Sequence, residues 1–229
     1  MSTTSWIRAG LFALPVYGLL TAWSSLDPQP DQETDPEAWA RFVSEPSYLV
    51  DHLIGSTGGT ILAIFGIFAL GAYLAAGTTV RLALPAMVIA VFGQALLLVP
   101  ASISTFTTPA VGQAYLDGVP GVMDLEFSDS MMFTFLLGIV LALIGSVLLG
   151  VAVWRSDTLS VGAGALWIAG VIIFYVFGVV TGMVTIGASL PTQSLGALLM
   201  AVAGAWIAYS AMQRKHRPVS TRQSHSSAL

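Results

Sequence analysis

The sequence predicts an all-α integral membrane protein with six transmembrane helices, and three observations lead there. Hydrophobic residues make up 55% of the 229-residue chain and charged residues only 9%, against roughly 25% charged in soluble domains. The mean hydropathy is +0.83. The charges are also clustered: residues 9–26, 53–80, 82–116, 130–154 and 158–213 contain no Asp, Glu, Lys, Arg or His. A helix needs about 20 apolar residues to cross a bilayer, and these runs meet or approach that length. A lipid-facing barrel strand alternates apolar and polar residues over about ten positions, and these runs do not alternate.

The first four runs supply one span each, at about 7–26, 49–75, 82–103 and 130–153. The fifth is long enough for two, and the turn-rich stretch Gly187-Ala-Ser-Leu-Pro191-Thr-Gln-Ser divides it into spans at about 161–186 and 194–212. The first run follows Arg8 as the apolar core of a signal peptide would. Such cores span roughly 7–15 residues, whereas this one reaches Leu26 and contains Pro15, so an uncleaved first helix is expected. Between spans one and two, Asp35 followed by Pro36 is a helix start: a capping side chain, then a proline whose missing N–H costs nothing at that position. Trp39, Phe42 and Val43 recur there at helical spacing, which predicts a short amphipathic helix lying on the membrane surface or lidding a cavity. Between spans three and four, residues 110–116 form a second short helix ending at Asp117-Gly118, and Val119-Pro120-Gly121 is a turn. The division expected is a transmembrane domain over residues 1–213 and a basic, disordered cytoplasmic tail over 214–229.

Orientation follows from the basic residues. Arg8, Arg81, Arg155, Arg214, Lys215, Arg217 and Arg222 fall on one side of the predicted spans, and only Arg41 on the other. The positive-inside rule makes the first side cytoplasmic, so both termini are expected in the cytoplasm of a multi-pass plasma-membrane protein. The acidic residues are mirror-imaged, with only Asp157 inside, and they make the outer loops strongly negative.

Spans two and four share a register. Gly59-x-x-Leu62-Ala63-x-x-Gly66 is followed by Gly71, and Gly138-x-x-Leu141-Ala142-x-x-Gly145 by Gly150; span six echoes it with Gly196, Leu199, Ala203 and Ala208. Three tandem hairpins would produce such a register, and so would the abundance of Gly and Leu in membrane helices. In either case the glycines allow close backbone approach, on which helix association in lipid relies. The opening Ile7-Arg8-Ala9-Gly10-Leu11, the acidic loop with Asp35-Pro36-Glu37-Ala38 and the glycine-rich second span resemble small six-helix bacterial membrane proteins of unknown function. The resemblance covers the first third of the chain and implies a six-helix fold without implying an activity.

The function classes excluded follow from what the spans lack. There is no cysteine, hence no disulfide, thiolate metal site or cysteine nucleophile. Ion-coupled carriers and voltage sensors place ionisable groups inside the bilayer, and none falls in the predicted midplane. The only lysine, Lys215, cannot anchor retinal within a span, and His216 and His225 lie in the tail, away from any b-haem. Met123, Met131 and Met132 offer soft copper ligands, but with no cysteine and one nearby histidine they read as packing. No cofactor and no metal site is expected, and nothing resembles a nucleic-acid domain.

Candidate site residues remain in two groups. Asp51 and His52 at the start of span two, with Asp129 at the start of span four, are the catalytic candidates, because a carboxylate beside histidine suits acid–base work. An Asp in a first helical turn also simply complements the helix dipole. Gln94, the strongest polar group within a span, together with Asp124 and Glu126, forms the candidate ligand-binding set; an interhelical hydrogen bond is the structural alternative for Gln94. Tyr17, Tyr73, Tyr175 and Tyr209 read as interfacial anchors.

The leading expectation is a non-enzymatic accessory subunit or binder of a hydrophobic or neutral ligand. The alternatives are a membrane-embedded enzyme of isomerase or cyclase type, using the outer carboxylates on a lipid-soluble substrate, and a facilitative channel or carrier. The partners implied are the lipid bilayer and, for an accessory role, a membrane-protein partner or a second copy of the chain. Topology is directly testable in this cysteine-free chain. Cysteines placed at Gln32 and Asp117 should react with an impermeant thiol reagent in intact cells, while those at Thr79, Ser156 and Ser220 should not; the reverse pattern would overturn the arginine-based orientation.

Overall fold

Apolar runs separated by short polar breaks become helices because lipid offers no partner for an unpaired backbone amide. The computed structural model describes residues 3–27, 29–124, 128–185 and 190–213, and these are helical throughout apart from turns. In chain order the helices are α1 (Thr3–Gly10), α2 (Ala13–Ser24), α3 (Pro36–Ser44), α4 (Pro46–Ala75), α5 (Val80–Phe106), α6 (Thr108–Leu116), α7 (Asp129–Trp154), α8 (Val161–Thr185) and α9 (Pro191–Gln213). Five of them, α4, α5, α7, α8 and α9, are long and apolar enough to cross a membrane. The predicted tail over 214–229 and Glu126 lie outside the described residues.

The first predicted span is not one helix. It breaks at Leu11–Phe12, between α1 and α2. The cause is Pro15, which has no N–H and whose ring crowds the carbonyl four residues earlier, that of Leu11. The Leu14 amide takes that carbonyl instead, at 3.1 Å, in a tighter three-residue turn. Pro85 and Pro100 sit inside α5 without ending it.

The long helices form a ring in chain order: α2 packs on α4, α4 on α5, α5 on α7, α7 on α8, α8 on α9, and α9 returns to α2. The shared glycine register is used equivalently in this ring. Gly66 of α4 faces Leu14 on the preceding helix and Gly71 faces Met87 on the following one. Gly145 of α7 likewise faces Ala90 on the preceding helix and Gly150 faces Ile168 on the following one. A Cβ placed on Gly145 would lie 2.3 Å from the Ala90 nitrogen, and one on Gly93 would lie 2.2 Å from the Ala142 nitrogen. The α5–α7 contact is thus backbone against backbone. Around it, at the end bearing Arg8, Arg81 and Arg155, the interior is filled by small side chains such as Ala86, Ala90, Ala142 and Ala152, with Leu70, Leu149 and Trp167 fully enclosed. Trp167 donates its ring N–H to the Ser146 carbonyl at 3.1 Å.

The opposite end carries a cap. The Asp35 carboxylate accepts from the Ala38 amide at 3.1 Å and starts α3 at Pro36 as predicted. The apolar face of α3, Trp39, Ala40 and Val43, is buried against Tyr48 and α6 rather than spread on a membrane surface. Gly112 of α6 meets the Val43 side chain at the crossing. Helix α6 ends at Leu116 and turns at Gly118, whose φ of +79° is a conformation that favours glycine. Upstream of α3, the Asp31 carboxylate accepts from the backbone N–H of Glu33 and from both the N–H and hydroxyl of Thr34. The Thr34 N–H bond, followed by its hydroxyl bond, holds the Asp31 carboxyl below its usual range.

The backbone contact at α5–α7 generates a stability prediction. Gly93→Ala and Gly145→Ala should each lower the melting temperature in detergent, by the equivalent of about 1–3 kcal/mol of overpacking. Gly77→Ala, whose added methyl would find its nearest neighbour at 3.5 Å, should remain within about 0.5 kcal/mol of the parent. Equal melting of all three proteins would remove the close-approach argument.

Candidate functional site

Beneath the cap, the ring encloses a cavity of about 550 Å³, within the roughly 300–1,000 Å³ of ligand pockets. It occupies only the capped half of the bundle, ending at Gln94, Ile139 and Tyr175 above the small-residue core. Three helices bring polar stripes to it at helical spacing. From α2 come Tyr17, Thr21 and Ser24, with Ser25 directly after it; from α4, His52, Ser56 and Thr60; from α5, Gln94, Ser104 and, at the start of α6, Thr108. The opposite wall is apolar, with Met131, Met132, Phe135, Val179 and Met183 from α7 and α8. Trp39 roofs the space. Among the described residues, no Asp, Glu, Lys or Arg lines it.

Two π-helical stretches flank this cavity, His52–Gly58 within α4 and Ile173–Val180 within α8. A π turn inserts an extra residue into the helix and is frequent at functional sites. Here the first delivers His52 and Ser56 to the cavity and the second delivers Phe174, Tyr175 and Val179. Glycines let each stretch press on a neighbour: Gly55 against Ser24 of α2, and Gly178 against Gln193 of α9.

The floor is a buried polar group. Gln94, 3% exposed, donates its Nε2–H to the Tyr175 hydroxyl at 2.8 Å. The Tyr17 hydroxyl bonds with both Tyr175 and Gln94. The interhelical bond expected of Gln94 is therefore present, and the same residue also faces the cavity. Tyr17 and Tyr175 are not interfacial anchors: they are 5% and 2% exposed and meet at the bundle centre. Higher up, the Tyr48 hydroxyl pairs with Ser104 Oγ at 3.1 Å and Thr57 Oγ1 with Thr105 Oγ1 at 3.0 Å, tying α4 to α5.

His52 stands at the rim. Its ring stacks on Tyr48 with centroids 3.8 Å apart, and its Nδ1 lies 3.0 Å from the Tyr48 carbonyl oxygen. A carbonyl only accepts, so Nδ1 carries the proton and Nε2 of the neutral ring is left as an acceptor. His52 also borders a smaller cleft of about 120 Å³ lined by Asp27, Glu45 and Asp51.

The structure brings Asp51 and His52 to one rim, with Gln94 on the floor of the cavity that His52 borders. Asp51 lies on the smaller cleft; Asp129 and Asp124 are exposed and border neither space. Equivalent helix ends do not become neighbours, because α5 lies between α4 and α7. Asp129 sits in the first turn of α7, behind the Ser128 cap that accepts from Met131. Met131 and Met132 line the cavity, whereas Met123 packs into the cap cluster. Among the described residues, no group of three or more His, Asp or Glu side chains is placed to hold a metal. The sequence carried one signal that points to this cavity: Tyr17, Thr21, Ser24 and Ser25 form a polar stripe on an otherwise apolar helix. Against known protein families, curated proteins and solved structures, the chain has no significant match.

The floor can be tested by a double-mutant cycle. Tyr175→Phe and Gln94→Leu should each destabilise the detergent-solubilised protein by about 1 kcal/mol, with a coupling of roughly 0.6 kcal/mol between them. Strict additivity would mean that the 2.8 Å contact contributes nothing.

Proposed function

We propose that this chain is a six-span protein of the plasma membrane, with both termini cytoplasmic, that binds a neutral amphiphilic ligand beneath its cap, as a binding protein or accessory subunit. In this reading the α1–α2 segment is the first span despite its break. The observation that carries the proposal is the lining of the cavity: hydroxyls, amides and an imidazole on one side, apolar side chains on the other, and no Asp, Glu, Lys or Arg among the described residues. Burying an ion without a partner of opposite charge is strongly unfavourable, so such a space selects uncharged molecules that offer both a hydrogen-bonding end and an apolar end. The confinement of the cavity to the capped half favours binding over conduction. A second reading, an enzyme acting on a lipid-soluble substrate, draws on His52, whose free Nε2 faces the cavity rim with Asp51 next in sequence.

Thermal denaturation of the full chain in nanodiscs tests the first reading. At about 100 times its dissociation constant a ligand adds about 2.7 kcal/mol, so 1-decanoylglycerol should raise the melting temperature by several degrees. Decanoate and decyltrimethylammonium, with the same tail and a charged head, should not. An equal rise with all three, or none with the glyceride, sinks the proposal. For the enzyme reading, His52→Gln should abolish turnover of a substrate that still binds.

A further inference from the structure

The seams between neighbouring helices around the cavity are not equally closed. On the α2–α9 seam, Ser194 Oγ donates to the Ser25 carbonyl at 2.8 Å and Gln193 Nε2 to Ser25 Oγ at 3.2 Å. On α2–α4, Gly55 is pressed against Ser24; on α4–α5, Thr57 meets Thr105; on α5–α7, Gly138 rests on Leu96 and Leu97. On α8–α9, the Thr192 hydroxyl donates to the Phe177 carbonyl at 2.6 Å. The α7–α8 seam differs. These helices pack along Val161–Ile172, where Gly164 meets the Trp154 backbone, but among the described residues Ile173–Val180 pack on α9 and make no comparable contact with α7. Above that point Met131, Met132, Phe135, Val179 and Met183 line the cavity. The surface flanking this seam is apolar and turned outward, with Phe133 66% and Phe177 54% exposed.

Building on the neutral-ligand reading above, we infer that the cavity is loaded sideways from the bilayer, through the parted ends of α7 and α8, by a single-chain neutral lipid. The uncharged head passes first and reaches the hydroxyl and amide wall of α2, α4 and α5, while the tail stays among the methionines and continues out through the seam. Both the sidedness and the chemistry follow. The polar wall lies across the cavity from the seam, and unbranched thioether side chains adapt to the shape of a flexible chain. A head carrying hydroxyl or carbonyl groups matches Tyr17, Thr21, Ser24 and Gln94. On the side facing water the α3–α6 cap lies over the cavity, with Trp39 and Val43 buried against Tyr48 of α4.

The test uses the full chain in phosphatidylcholine nanodiscs and a 1-oleoylglycerol analogue bearing a photoactivatable diazirine in mid-tail. Crosslinks should map to residues 131–135 and 179–183 and should be competed by unlabelled 1-oleoylglycerol. Met132→Trp and Val179→Phe, each adding bulk at the seam, should slow loading about tenfold with the melting temperature unchanged. Competed crosslinks confined to α3 and α6, or unchanged loading in both variants, overturn lateral entry. If 1-decanoylglycerol binds while the oleoyl probe labels nothing at the seam, lateral entry fails and the neutral-ligand reading stands. Failure of both glycerides to bind removes both.

Discussion

The structure depends on the close approach of helix backbones through small residues. In lipid there is no hydrophobic effect to drive one apolar helix onto another, so association rests on packing and on interhelical hydrogen bonds. At and below the level of Gln94, Gly93 against Ala142 and Gly145 against Ala90 bring α5 and α7 together backbone against backbone. Above that level, in the capped half, the π stretches of α4 and α8 aim side chains into a cavity that replaces the small-residue core.

A cavity inside a membrane protein sets a polarity problem, and among the described residues the lining solves it with hydroxyls and amides that stay neutral, with a histidine at the rim. An unpaired hydroxyl or amide in an apolar setting costs on the order of 1–3 kcal/mol by protein mutational measures. The polar residues accordingly bond to one another or to their own helices. Gln94 meets Tyr175; Thr60 donates to the Ser56 carbonyl at 2.7 Å; Ser25 donates to that of Thr21 at 2.8 Å. Each hydroxyl satisfied in this way keeps acceptor capacity that a ligand can use. The lining is stable when empty and remains competent for hydrogen bonding when occupied.

Much of the architecture was legible in the sequence, and what was missed has identifiable physical causes. Charge-free runs and the Asp35-Pro36 start gave five long helices and α3 nearly to the residue. The first span was read as continuous because hydropathy counts Pro15 as one more apolar residue, whereas the backbone registers it as a missing donor. The π stretches left no trace in composition, since one inserted residue changes register and not hydropathy. Asp129 was joined to Asp51 on the assumption that similar helices place similar ends together; the ring order, which puts α5 between them, is a tertiary fact. Tyr17 and Tyr175 are buried although tyrosine in a membrane helix is commonest at the interface. Tyr175 accepts there from Gln94, 81 residues away in the chain, a pairing that no local pattern reveals.

The cap brings these strands together. Its two helices are too short to be stable alone, since isolated helices under about 12–15 residues are marginal in water. They persist by burying Trp39, Val43 and Tyr48 against one another. Tyr48 then links three roles in one residue. Its ring closes the cap cluster and stacks on His52, its hydroxyl meets Ser104 at the rim, and its carbonyl fixes the tautomer of His52 by accepting from Nδ1. Anything that shifts α3 is therefore felt at the imidazole that borders both the cavity and the acidic cleft. The cap is consequently part of the site: the Tyr48 ring that closes its apolar cluster also stacks on His52, whose Nδ1 donates to the Tyr48 carbonyl.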